Sequence, residues 1–230
     1  MSKLGFWSQG VVLFLLLSSF IYVRWRFQRL TPRLRKVGVL IGDSITQQGY
    51  GNHGYGWVSA LSAHYGRKAD FFNRGYSGYN SKWVDEHLGE VLSLPMTERK
   101  IDLAVVFLGA NDAVYQGFPS AVTMSSYMRH LTSIVSQLQQ QWGAHVVLVG
   151  PPPIAETALT SRNQASSNPR GLDRDNKRTL AYSDACHRVA RAMKVPFVNA
   201  WKGMKGDAGE DVRSAMLSDG LHLNDRGNER

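Results

Sequence analysis

The chain has one cysteine, Cys186, in 230 residues. No internal disulfide can form, and no thiolate metal cluster can be assembled from one sulfur. A small disulfide-stapled scaffold is therefore excluded, and the fold must rest on a hydrophobic core. Acidic residues are missing from positions 1–36, and positions 4–23 carry no charge of either sign. Repeats are absent, which removes solenoids and propellers from consideration. His53, His64, His87, His130, His145 and His187 lack metal-like spacing and read as structural or solvated side chains, so no metal or other cofactor is expected.

What is present is a composition of 43% hydrophobic and 20% charged residues, that of a folded globular protein of one domain. The net charge of +9 suggests a nucleic-acid partner until it is located. Seven of the 27 basic residues fall within positions 1–36, leaving 20 against 18 acidic ones in the rest. The body is close to neutral, and the nucleic-acid reading loses its support.

Leu4 to Val23 is an uncharged, mainly apolar stretch of 20 residues. As a helix it would span about 30 Å, the thickness of a bilayer's hydrocarbon core. Trp25 and six Lys or Arg residues follow it, against Lys3 alone before it. The reading is a membrane signal-anchor helix with a basic linker over 1–36, and a body from 37 to 230 that faces the cytosol. A cleaved secretory signal and an organellar targeting segment are the alternatives.

Beyond the linker, short apolar runs alternate with amphipathic ones. Val37–Ile41, Ala69–Asn73, Leu103–Leu108, Val146–Val149 and Pro196–Asn199 are the strand candidates. Apolar residues at successive positions suit strands covered on both faces. Trp57–Tyr65, Lys82–Leu92, Ser120–Trp142 and Arg174–Met193 are the helix candidates. The pattern predicts an α/β protein with a five-stranded parallel sheet between helical layers. Gly49–Gly56 reads as a flexible connection, and Ala155–Leu172 as a long, polar, unpatterned loop. Cys186 is placed among polar helix residues and given no role.

Four blocks fall at predicted strand ends, where such sheets bind ligands. Ser44 lies in Gly42-Asp43-Ser44-Ile45-Thr46, and Gly78 in the run from Asn73 to Asn80. Asn111 lies in Gly109-Ala110-Asn111-Asp112, and Asp219-Gly220-Leu221-His222 comes last. A serine hydroxyl needs a base to become a nucleophile, and the base needs an orienting group. His222 can take the proton and Asp219 can hold the imidazole. Attack on an ester carbonyl puts negative charge on its oxygen, which must meet preorganised donors. The Ser44 and Gly78 N–H groups and the Asn111 amide can supply three. Arg74 and Ser77 read as shaping the Gly78 turn, and Asp112 as a cap for the element that follows it. No Gly-x-Ser-x-Gly elbow surrounds Ser44, which argues against an ordinary α/β-hydrolase.

The blocks GDSIT, NRGYSGYNS, GAND and DGLH, in this order, resemble those of the SGNH (GDSL-type) hydrolase family. The resemblance spans nearly all of 37–230, and the segments Gly42–Gln48, Arg67–Ser81, Phe107–Ala113 and Pro151–Ile154 resemble the isoamyl acetate-hydrolysing esterase branch. It implies a flavodoxin-like three-layer α/β/α sandwich and metal-free ester hydrolysis. It makes Ser44 the nucleophile, Asp219 and His222 the other triad members, and Ser44, Gly78 and Asn111 the oxyanion donors. The expected substrates are short-chain acyl esters, acetyl esters foremost, of small alcohols. Deacetylation of an acylated carbohydrate, with 155–172 as a groove wall, is a second reading. A membrane-tethered protein with an inactive site is a third. In the family a final amphipathic helix follows the histidine, whereas here eight residues follow His222. That shortness is expected to leave out the helix and to loosen the His222 loop.

Overall fold

The computed structural model describes residues 35–51, 53–93 and 100–229. The expected anchor at 4–23 lies outside them. Among the described residues no helix is long and apolar enough to cross a membrane.

The body opens with β1 (Lys36–Gly42), a one-turn α1 (Ser44–Gln47), α2 (Trp57–Tyr65) and β2 (Ala69–Gly75). Then come α3 (Ser81–Glu86), α4 (Leu88–Val91), β3 (Leu103–Phe107), α5 (Met124–Trp142) and β4 (His145–Val149). The rest is α6 (Glu156–Gln164), α7 (Asn176–Met193), β5 (Phe197–Val198) and three short helices. These are α8 (Ala200–Gly203), α9 (Glu210–Ser214) and α10 (Asp225–Asn228). The five strands are parallel and lie in the order β2-β1-β3-β4-β5. The chain starts near the middle, runs to one edge, then returns past β1 to build the other half. The reversal opens a crevice between the carboxyl ends of β1 and β3, the usual ligand position in such sheets.

Alternate residues of the strands feed the two faces. Val39, Ile41, Ala104, Val106, Val146 and Leu148 point to one side and join the main core. Helix α5 covers them with Tyr127, Leu131, Ile134, Val135 and Leu138, spaced three and four apart as the sequence stripe predicted. Helix α7 adds Tyr182, Ala185, Cys186 and Val189. Cys186 is thus a core residue, not one among polar neighbours, and desolvation pushes its thiol up to about 12. The opposite face packs Val105, Phe107 and Val149 against Ile45, Trp57, Leu159 and Leu221. Part of that face forms a mostly apolar groove of about 370 Å³ between α2, β3, β4 and α8.

Helix ends follow local chemistry. Thr123 accepts from Ser126 N–H and Asp175 from Arg178 N–H, so α5 and α7 begin later than the stripe alone suggested. The predicted Lys82–Leu92 helix is two pieces, broken at His87, whose φ of −118° is not helical. The predicted loop 155–172 contains α6. This helix buries only Leu159 and Asn163, so no apolar stripe announced it. Glu156 in its first turn and Arg162 in its last suit the helix dipole instead.

Candidate active site

Strand β1 ends at Gly42, a position where nothing larger fits. A Cβ there would meet Thr46 Oγ1 at 2.0 Å and the Phe107 carbonyl at 2.7 Å. The Asp43 carboxylate then caps α1 by accepting from Ile45 N–H at 2.9 Å, and Ser44 becomes the first residue of that turn. Gly75 allows the end of β2 to lie against α1, since a Cβ would stand 2.1 Å from Gln47 N. Asn73 donates to the Thr46 carbonyl at 2.7 Å, and the Ser77 N–H donates to Gln47 Oε1 at 2.7 Å. The loop carrying Gly78 is thereby fixed to the turn carrying Ser44. Ser77 and Arg74 keep to that turn, Arg74 donating to the Asn73 carbonyl.

His222 crosses 178 positions of sequence to put Nε2 2.8 Å from Ser44 Oγ. Its Nδ1 lies 2.7 Å from Asp219 Oδ2. Asp219 Oδ1 accepts from the N–H groups of Leu221 and His222 at 3.1 and 2.9 Å, which closes the turn. The turn docks on α6: Ala155 N–H donates to the Gly220 carbonyl at 3.0 Å. At Gly220, φ is +84° and a Cβ would meet Leu159 N at 2.4 Å. Arg162 adds a contact of 3.1 Å from Nε to Asp219 Oδ2. Partial desolvation raises the Asp219 carboxyl, but hydrogen bonds from the His222 ring and N–H and the charges of His222 and Arg162 outweigh it. The carboxyl is held well below the usual range.

A cavity of about 360 Å³ opens on this group, lined by Ser44, Ser77, Gly78, Asn111 and His222 among others. Asp219 stands behind His222, off the lining. Gly78 takes φ +82° with open space where a Cβ would be. Asn111 donates one amide hydrogen to the Tyr79 carbonyl at 2.9 Å, which leaves its second for the cavity. A hydroxyl bonded to an imidazole, itself bonded to a carboxylate, can give up its proton as it attacks a carbonyl.

Two buried carboxylates lie beneath. Asp112 does not cap the element after it. It accepts from the backbone and hydroxyl of Ser81, the first residue of the earlier α3, from 31 positions away, while Asn80 caps that helix. Burial pushes Asp112 up to about 7, against the Ser81 hydrogen bonds and with help from the Asp43 charge. Burial likewise pushes Asp43 up to about 6, opposed by the Ile45 N–H and the charges of Arg174 and His222.

Arg174 was expected to open a helix. It is buried just before α7, where it grips both oxygens of Asp173 at 2.9 and 3.3 Å and donates to the Ala110 carbonyl. It therefore braces the backbone next to Asn111. Arg162 and Arg170 also reach the cavity. Sequence reasoning missed all three arginines; the dense charge of 162–178 was the available sign.

Residues 40–230 match the model of the GDSL-like lipase/acylhydrolase family. A GDSL esterase/lipase of Arabidopsis thaliana is 34% identical over 197 residues, covering 83% of this chain and 79% of its own. The isoamyl acetate-hydrolyzing esterase of Saccharomyces cerevisiae is 32% identical over 196 residues, covering 82% and 79%. Among solved structures, a lipase/acylhydrolase from Enterococcus faecalis superposes with a TM-score of 0.63 at 23% identity, over 84% of this chain and 90% of its own.

Proposed function

The chain belongs to the GDSL-like lipase/acylhydrolase family and is a carboxylic ester hydrolase, and on that premise we propose that it cleaves short-chain, chiefly acetyl, esters of small alcohols through Ser44, His222 and Asp219. The observation that carries this reading is the continuous line from Ser44 Oγ through His222 to Asp219, with contacts of 2.8 and 2.7 Å.

In the proposed reaction Ser44 Oγ bonds to the ester carbonyl carbon while His222 Nε2 takes its proton. The carbonyl oxygen becomes an oxyanion, held by the Ser44 and Gly78 N–H groups and the free Asn111 amide hydrogen. The bond to the alcohol oxygen breaks, and the proton on Nε2 goes to that oxygen. Water then repeats the sequence on the acyl-enzyme, releasing the acid and restoring Ser44. Asp219 keeps the imidazole in the tautomer with its proton on Nδ1 and stabilises the imidazolium.

A cavity of about 360 Å³ supports small substrates, being near the lower end of the range for ligand pockets. The yeast relative, named for isoamyl acetate, supports an acetyl group. A fluorophosphonate probe should label Ser44 covalently, and acetate esters should turn over faster than octanoate esters of the same alcohol. If Ser44→Ala hydrolysed p-nitrophenyl acetate as well as the parent, the mechanism would be wrong.

The same proposal keeps the body on the cytosolic side of a membrane anchored by residues 4–23, supported by the basic residues that follow them. Protease added to intact microsomes should then digest the body, and full protection would reverse this orientation.

A further inference from the structure

The charged lining of the cavity around Ser44 and His222 is one-sided. Among the described residues three arginines, Arg162, Arg170 and Arg174, face it with one carboxylate, Asp173. Arg174 takes both oxygens of Asp173, through Nε at 2.9 Å and Nη2 at 3.3 Å, and is itself buried. Arg170 shares that carboxylate through one nitrogen at 3.1 Å, and its guanidinium rests over the Phe118 ring at 5.5 Å. One negative charge therefore serves two positive ones. Arg162 reaches Asp219 through Nε alone, and Asp219 is already engaged by His222. The side chains of Arg162 and Arg170 are 41% and 44% exposed, with further N–H donors able to meet a ligand.

Resting on the esterase reading, we propose that the preferred substrates carry an oxyanion, a carboxylate or phosphate, on the alcohol portion of the ester, bound by Arg162 and Arg170. The alcohol side follows from the place of Arg162. It is bonded to the carboxylate that holds His222, and His222 is the group that protonates the leaving oxygen. Gly78 and Asn111 serve the carbonyl oxygen instead. Planar guanidinium groups match carboxylate and phosphate oxygens in pairs, and such charge-assisted bonds are strong. An ester with a neutral alcohol would leave the remaining guanidinium donors of Arg162 and Arg170 to solvent.

The test compares kcat/KM for O-acetylglycolate and 2-acetoxyethyl phosphate with that for neutral acetoxyacetamide. The parent should favour at least one anionic ester on the order of tenfold. In Arg162→Gln/Arg170→Gln that ratio should fall to near one, while Arg170→Lys, which keeps the charge but loses the paired geometry and the Phe118 contact, should give an intermediate ratio. The ratio is the readout because Arg162 also touches Asp219, and a general loss of rate cancels between esters. Which anion gains more distinguishes a carboxylate from a phosphate preference. Equal or better use of acetoxyacetamide by the parent overturns the proposal, as does a preference that survives in the double variant. Turnover of acetoxyacetamide without any preference leaves the esterase reading standing, whereas failure of all three esters together with no probe labelling at Ser44 overturns both.

Discussion

Asp219 Oδ2 stands 2.7 Å from His222 Nδ1, and the same carboxylate's other oxygen accepts the His222 backbone N–H at 2.9 Å. One side chain thus fixes both the backbone and the ring of the residue that faces Ser44. Asp219→Asn should preserve the turn's size but favour the wrong imidazole tautomer. A fall in kcat on p-nitrophenyl acetate of about 10⁴-fold is expected, by analogy with other serine triads. A loss under tenfold would show that Asp219 does not set the tautomer.

Asn111→Ala removes a neutral donor from the cavity and its bond to the Tyr79 carbonyl. On the proposed mechanism this takes away one oxyanion donor and should lower kcat by about 10²–10³, with KM little changed. Steady-state kinetics on acetate esters checks the split. A rise in KM at constant kcat would assign Asn111 to ground-state binding instead.

Gly78 and Gly220 have nearly the same left-handed φ, +82° and +84°, in opposite surroundings. Alanine at either pays the left-handed strain of about 1–2 kcal/mol. At Gly220 it also drives a methyl to 2.4 Å from Leu159 N, whereas at Gly78 no atom lies within 4 Å. Gly220→Ala should therefore lower Tm clearly more than Gly78→Ala does. Thermal denaturation of the two variants decides it, and equal losses would count against the docking of this turn on α6.

Asp43 and Asp112, raised to about 6 and about 7, keep their protons in the folded state at pH values where the unfolded chain, titrating near 4, has lost them. Their contribution to stability is full below about pH 4 and fades as pH rises through 6 and 7. Asp219 has the opposite sign, since its depressed value adds stability above about pH 4 that is lost in acid. Asp112→Asn deletes one rising cost. Its Tm relative to the parent should shift in the variant's favour between about pH 4 and pH 8. Parallel Tm curves would show that Asp112 is not held protonated.

Five strands were legible because each is a short run rich in Val, Phe or Leu, buried along most of β1 and only half-buried in the edge strand β2. The α5 stripe was legible because Tyr127, Leu131, Ile134 and Leu138 recur on one face. Ser44, Gly78, Asn111, Asp219 and His222 stood out because each lies in a short, chemically distinct block. The first three come just after β1, β2 and β3, but Asp219 and His222 do not sit at the end of β5 as expected, since α8 and α9 intervene. What escaped the sequence was long-range polar pairing. Nothing near Asp112 says that it will bond Ser81, and nothing near Arg174 says that it will hold the Ala110 carbonyl. Helix α6 escaped for a related reason, since its partners are the Asp219 turn and Glu210, which contacts Thr157 N–H at 2.9 Å. Periodicity reports burial in apolar surroundings and is silent on such polar anchoring.

The 178 positions between Ser44 and His222 also set a clock on synthesis. At about 5–20 residues per second, His222 is made roughly 10–35 s after Ser44. Throughout that interval the serine exists without His222 beside it. On the proposed mechanism a growing chain lacks the group that would activate Ser44, and it would acquire its reactivity in one late step.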